Sequence, residues 1–326
     1  MAALKLLILG FVFGAILRMA RLNRYDTISG LATLEDLTVG KALAVAIGVG
    51  ILLIQLEVAL GWASWHIKPL LLGGVILGGL LFGIGMALLG YCPGTLAVSL
   101  GEGSLDALAG ILGGLLAGWL FTLMFPTLQP LQGPHLGQVA LTSPLVALPV
   151  ALLFLLVAYG LHRWKPEPRR PWLLAGLLLA LLDGLVFLKG VAHRPIGAST
   201  AYPYLADLLT GTTRNPYFQK IARSGAWEAV FLAGALLAGL VLSLVGREFR
   251  WTVVHERWRQ HRGERVVPRL LWAFAGGFLL ILGARLAGGC TSGHILSGGM
   301  QMAVSSLVFM VFVVVGLLAT GRLFYR

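Results

Sequence analysis

Two cysteines, Cys92 and Cys290, are the only thiols in the 326-residue chain, and each closes a glycine-rich apolar run before a short polar one. The first run reads GGLLFGIGMALLGYCPGT over 78–95 and the second GGFLLILGARLAGGCTSG over 276–293. A thiol can act as a nucleophile, a metal ligand, half of a disulfide or a weak hydrogen-bond donor. No base stands beside either cysteine, which argues against a covalent catalyst. Two cysteines and a single nearby histidine, His294, lack the paired spacing of a metal site, so neither a metal nor a cofactor is expected. Two thiols make no disulfide framework. What remains is weak hydrogen-bond donation, or simple packing as a small hydrophobe. The neighbours are donors too. Gly94 and Thr95 follow the first cysteine, and Thr291, Ser292, Gly293 and His294 follow the second. A further stretch, HRPIGASTAY over 193–202, offers Arg194, Gly197, Ser199 and Thr200. Arg285 lies five residues before Cys290 inside an apolar run, where a bare charge costs about 2.5 kcal/mol or more. Asp183 or Glu57 is its expected counter-ion; otherwise it gathers anions at a vestibule. Glu102 and Asp106 open an apolar run, where acids favour a helix amino end.

The elements that carry these residues are membrane helices. Apolar residues make up 58% of the chain and charged ones 12%, with mean hydropathy +0.87, which excludes a soluble globule. Apolar stretches run over 4–20, 41–60, 69–89, 104–125, 144–163, 171–190, 226–246, 268–289 and 301–323. The first lacks a cleavage site and reads as a span rather than a signal peptide. Only helices fit stretches of about 20 residues, because a helix satisfies its own backbone in lipid. The expected fold is therefore all-α and polytopic, with about nine transmembrane helices. Lys and Arg give a net charge of +12, but they sit in short loops, so nucleic acid is excluded. No phosphate-cradling loop with Lys is present, which excludes nucleotide drive.

Aligned on the cysteines, Gly78, Gly79, Gly85 and Gly90 fall on Gly276, Gly277, Gly283 and Gly288 at one constant offset. The chain reads as a duplication: a first repeat over 1–126, a linker with one span over 127–170 and a second repeat over 171–326. An odd number of spans between the halves makes the repeats inverted. Four stretches, 24–37, 91–100, 195–209 and 290–299, are half a span long and carry Gly with Ser or Thr. They read as re-entrant half-helices whose amino ends offer N–H groups to an anion. Seventeen Lys and Arg fall on one side and seven on the other, placing the amino terminus outside and the carboxyl terminus in the cytoplasm. The basic stretch 247–269, with Trp251 and Trp258, reads as a cytoplasmic anchor at the headgroups and as a dock for a sulfurtransferase-like partner.

GYCPGT at 90–95, GEGSLDAL at 101–108 and GGCTSGHILSGG at 288–299 resemble the two Gly-Cys signatures of the YeeE/YedE family of bacterial inner-membrane proteins, and HRPIGASTAY is similar to its second-repeat Gly-x-Ser/Thr stretch. The resemblance implies an importer of a sulfur-containing anion, with inverted repeats, re-entrant helices and cysteines strung along a central path, not an enzyme. The family's thiosulfate branch carries a third cysteine before its first re-entrant helix. Here RLNRYDTISGL at 21–31 has none, and Asn23 or Thr27 stands near that position. Thiosulfate, a related sulfur or selenium species, another oxyanion, or an intramembrane sulfur relay all remain open on the sequence.

Overall fold

In the computed structural model, which describes residues 2–167 and 171–325, the chain folds into helices joined by short loops, with three isolated bridges and no strand among the described residues. The helices are α1 (Ala2–Met19), α2 (Tyr25–Ala32), α3 (Thr38–Ala59), α4 (Leu72–Leu89), α5 (Pro93–Gly101), α6 (Leu105–Leu128), α7 (Pro144–Trp164), α8 (Pro171–Phe187), α9 (Ala201–Thr210), α10 (Pro216–Val245), α11 (Glu256–Arg262) and α12 (Val266–Ala287). A π-helical turn, Thr291–Leu296, then runs directly into α13 (Ser297–Met300), and α14 (Val304–Phe324) closes the chain. Seven helical segments are long and apolar enough to cross a bilayer, and α8 is a shorter apolar helix of 17 residues. The protein is a polytopic membrane protein. The nine expected stretches correspond to α1, α3, α4, α6, α7, α8, α10, α12 and α14, and the four half-span stretches contain α2, α5, α9 and the turn leading into α13.

One boundary differs from expectation. The apolar run begins at 226, whereas α10 begins at Pro216. Proline at the first helical position suits a helix start, and the Asn215 side chain accepts the Tyr217 N–H at 2.8 Å. The cap, not hydropathy, sets that end.

At the centre α4 crosses α12, with α14 laid along α4 and α6 along α12. Outside them α1 packs on α10 and α8 on α3, while α7 rides on the far side of α3. Exchanging α1 with α8, α3 with α10, α4 with α12 and α6 with α14 returns the same neighbours. The crossing works because glycines interlock. A Cβ on Gly283 would lie 2.5 Å from the Gly78 carbonyl oxygen, and one on Gly85 2.6 Å from that of Gly276. In lipid, backbone approach of this kind replaces the missing hydrophobic drive between helices. Gly283→Val is expected to cost at least about 2 kcal/mol through overpacking, read as a fall in thermal midpoint of the purified protein. Gly160→Ala, with open space around it, is the neutral control.

Polar groups gather on two opposite faces. On one, Arg18 meets Glu102 and Glu248, Lys41 meets Glu167, and Arg257 meets Glu35. The Arg257 hydrogen bond, in turn, holds the Glu35 carboxyl below its ordinary value. On the other face, residues 60–71 pair with 137 and 189, and Gln301 bonds His66. Arg169, Arg170 and Arg326, counted in the charge comparison, lie outside the described residues.

Candidate functional site

Gly90 and Gly288 end α4 and α12 in the left-handed region, at φ 77° and 75°, a conformation open to glycine at little cost. Each turn delivers a cysteine two residues later to the amino end of a half-helix. This is the structural meaning of the repeated Gly-x-Cys. Both thiols are free. The buried Tyr202 donates its hydroxyl to the Pro93 carbonyl, next to Cys92, at 3.2 Å. A narrow cavity of about 50 Å³ is lined by Cys92, Gly94 and Thr95 from the first tip and by Thr291 and Ser292 from the second. Its remaining wall is apolar, from Phe13, Ile28, Leu43, Met86 and Leu179 among others. The structure therefore brings the tips of α5 and of the π-helical turn together.

The two tips differ in what they leave free. At α5, the Thr95 hydroxyl accepts the Cys92 N–H at 2.8 Å and donates to the Cys92 carbonyl at 3.0 Å, and the Cys92 side chain receives the Thr95 N–H. Thr95 is a helix cap, so its hydroxyl is spent. At the other tip Cys290 is buried, its sulfur 3.3 Å from the Ser292 hydroxyl, and the buried Thr291 hydroxyl has no partner. Leaving such a group unpaired is costly, which marks it as waiting for one. His294 is a structural group. A carbonyl only accepts, so Nε2–H donates to Ala287 at 2.9 Å, leaving Nδ1 to accept from the Ser306 hydroxyl at 2.9 Å.

The third stretch is braced rather than open. The Thr200 N–H donates to Glu228 at 2.6 Å, Arg194 reaches the same carboxylate at 3.5 Å and stacks 4.3 Å over Trp227, and a Cβ on Gly197 would strike Glu228. Glu228 occupies the amino end of α9 as an internal anion, which hydropathy could not reveal. Ser199 is buried beside it. Arg285 pairs with neither Asp183 nor Glu57: it donates to the Thr200 hydroxyl at 2.8 Å, its Nε has no partner, and Asp183 instead accepts from Ser297 and the Ile196 N–H. Helix packing turns α8 toward α3, away from α12.

Asn23 and Thr27 do not reach the thiol cavity. Asn23 donates to Glu102 at 2.9 Å and to Ser99 at 3.3 Å, fastening the far end of α5, and Thr27 lines a surface hollow with Arg21, Arg24 and Asp36. The stretch 21–31 folds as a loop and the helix α2, whose Ile28 lines the thiol cavity while the Asn23 and Thr27 side chains do not.

Two groups were missed by sequence reasoning. Asp106 is not merely a helix-end acid: it is fully buried against Arg269 at 2.6 Å, accepts from Tyr91 and contacts His255. Arg269, counted as a loop charge, also donates to the Leu88 and Leu89 carbonyls and lies over the rings of Tyr25 and Trp258. Trp258 is accordingly buried rather than a headgroup anchor, whereas Trp251 is exposed. The available signal was an arginine one residue inside an apolar run. The second missed group is Lys68, whose ammonium donates to the Gly288 carbonyl at 2.7 Å beside Cys290. Its lysine was legible only as an outer-loop charge.

A bundle of apolar helices with broken, polar-tipped helices meeting in its interior is the build of a membrane transporter. The chain belongs to the sulphur transport family, whose sequence profile matches residues 25–319. It is 28% identical over 332 residues to the thiosulfate transporter TsuA of Spirochaeta thermophila, with 95% of each chain covered.

Proposed function

We propose that the protein carries thiosulfate, or a sulfur anion of the same chemistry, through the junction of the Cys92 and Cys290 tips. The observation that carries this reading is a pair of free thiols on equivalent glycine turns, whose tips meet at one cavity: Cys92 lines it directly, and Thr291 and Ser292, next to the buried Cys290, line it from the second tip. S–H groups are weak donors, matched to a soft sulfur atom, and two weak sites in series favour passage over retention. Thr291 and Ser292 add hydroxyls at the same place. The resemblance to TsuA and the sulphur transport family support this cargo.

The exchange of neighbours between helices supports two inverted repeats over 1–126 and 171–326, joined by a linker over 127–170 that contains α7. The Lys and Arg bias supports residence in a bacterial inner membrane with the amino terminus outside and the carboxyl terminus in the cytoplasm. On that side, exposed Arg265 and Trp251 would receive a sulfurtransferase-like partner.

Labelled thiosulfate should enter vesicles containing only this protein, with excess sulfate competing poorly because it lacks the soft sulfur. Absence of uptake, or equal competition by sulfate, would count against the reading.

A further inference from the structure

Lys68 sits on the loop between α3 and α4, outside the helices, at the outer side of the Cys290 tip. The loop is built to hold it there. Its carbonyl accepts the Ser305 hydroxyl at 3.0 Å, and two residues earlier the His66 N–H donates to Gln301 at 2.6 Å. The half-buried side chain turns inward, and its ammonium donates to the Gly288 carbonyl at 2.7 Å. A Cβ on Gly289 would lie 2.4 Å from that nitrogen and one on Gly293 3.4 Å from it. The two glycines flanking Cys290 and its half-helix turn are the residues that admit the charge.

The charge is not compensated. Among the described residues no carboxylate lies within 4 Å of Lys68. The groups facing it are Arg285 from α12, Arg194 from the loop before α9, Glu228 from α10 and the Cys290 thiol; His294, from the π-helical turn, has both ring nitrogens engaged. Glu228 is already held by Arg194 and the Thr200 N–H. Three cations thus share one occupied carboxylate around the amino end of a half-helix, itself electropositive. Two buried donors on neighbouring residues, Thr291 Oγ1 of the same tip and Arg285 Nε of α12, have no partner. Such a surplus is stable when an anion completes it.

We propose that Lys68 is the capture residue of the transport path, holding an incoming sulfur oxyanion by its oxygens while its sulfur end meets the Cys290 thiol. The inference rests on the transport reading above. An ammonium is a compact point charge suited to oxyanion oxygens, and the thiol beside it suits sulfur, so the pair distinguishes thiosulfate from sulfate at the first encounter. Burial of the ammonium pushes Lys68 down to about 8, against the pull of the Cys290 sulfur. The cation is therefore present below that pH and is lost as pH rises through it, taking affinity with it.

The test uses labelled thiosulfate uptake into vesicles of wild type, Lys68→Met and Lys68→Arg at about pH 7 and about pH 9, with calorimetric thiosulfate binding to the purified proteins alongside. Lys68→Met is expected to raise KM about tenfold or more at the lower pH, with the maximal rate nearly kept, the size of one lost charge-assisted hydrogen bond. Wild type is expected to lose affinity at the higher pH and Lys68→Arg to retain it, because a guanidinium stays charged. Unchanged KM in Lys68→Met overturns the proposal. So does an alkaline loss equal in Lys68→Arg and wild type, which assigns the titration to another group such as Cys290. Should Lys68→Met fail to fold, the wild-type and Lys68→Arg pH profiles still decide. Lys68-dependent binding without uptake by wild type would sink the transport reading and with it the capture role, leaving Lys68 as an anion-binding group only; no binding by wild type sinks both.

Discussion

Cys290→Ala should reduce the initial rate of thiosulfate uptake by about tenfold or more, and Cys290→Ser should slow uptake differently, by holding the anion too well. The buried sulfur belongs to the tip whose Thr291 hydroxyl is unpartnered, so deleting the thiol removes the donor matched to the sulfur end of the anion, which the oxygen-seeking donors around it do not replace. The loss of one hydrogen bond to a charged group is worth about 1.5–3 kcal/mol, which converts to roughly tenfold to a hundredfold. A serine hydroxyl donates more strongly than a thiol, so the serine variant should show a lower KM together with a lower maximal rate. Cys92→Ala should combine a transport defect with a stability defect, since the Cys92 side chain also takes part in the cap of α5; a lost cap costs about 1 kcal/mol. Initial rates and thermal midpoints on the same preparations separate the two effects. Wild-type rates in both alanine variants would remove the thiols from the path.

Arg269→Met should be the most damaging single change outside the path. Its guanidinium and the Asp106 carboxylate have no solvent exposure and meet at 2.6 Å, and Arg269 also satisfies the last carbonyls of α4 at Leu88 and Leu89. Removing one partner leaves a buried charge, at a cost of about 3–5 kcal/mol, enough to abolish folded protein in a marginally stable chain. The double variant Arg269→Met with Asp106→Asn should recover much of that loss, because neither charge then stands alone, although the Leu88 and Leu89 carbonyls stay unpaired. Detergent-solubilised yield and thermal midpoint measure both. Equal damage in the single and double variants would show that Arg269 matters through those carbonyls and its contacts with Tyr25 and Trp258 instead of through the ion pair.

The two networks have different legibility. The Gly-x-Cys turns, the nine apolar helices and the four half-span segments could be read along the chain, because lipid imposes local rules: apolar runs of a set length, helices that satisfy themselves, and glycine where a helix stops in the left-handed region. The α10 start escaped because a proline and an asparagine cap extend a helix past its apolar run. The partners of charged groups escaped altogether. Arg285 and Asp183 are both buried and opposite in sign, and composition makes them natural partners, yet the fold gives each a hydroxyl instead.

From residue order alone, then, came a helical membrane protein, its repeated thiol turns and the donors around them, since each depends on neighbours within one helical turn or on the bilayer's uniform demand. Which donors are spent and which stay free was decided only by tertiary packing. Thr95 caps its own helix, Glu228 fills the end of α9, Asn23 fastens α5, and Lys68 is carried from a loop to the Cys290 tip. Such pairings join residues far apart in the chain, and a polar group in a water-poor interior takes whatever partner the crossing helices bring within about 3 Å.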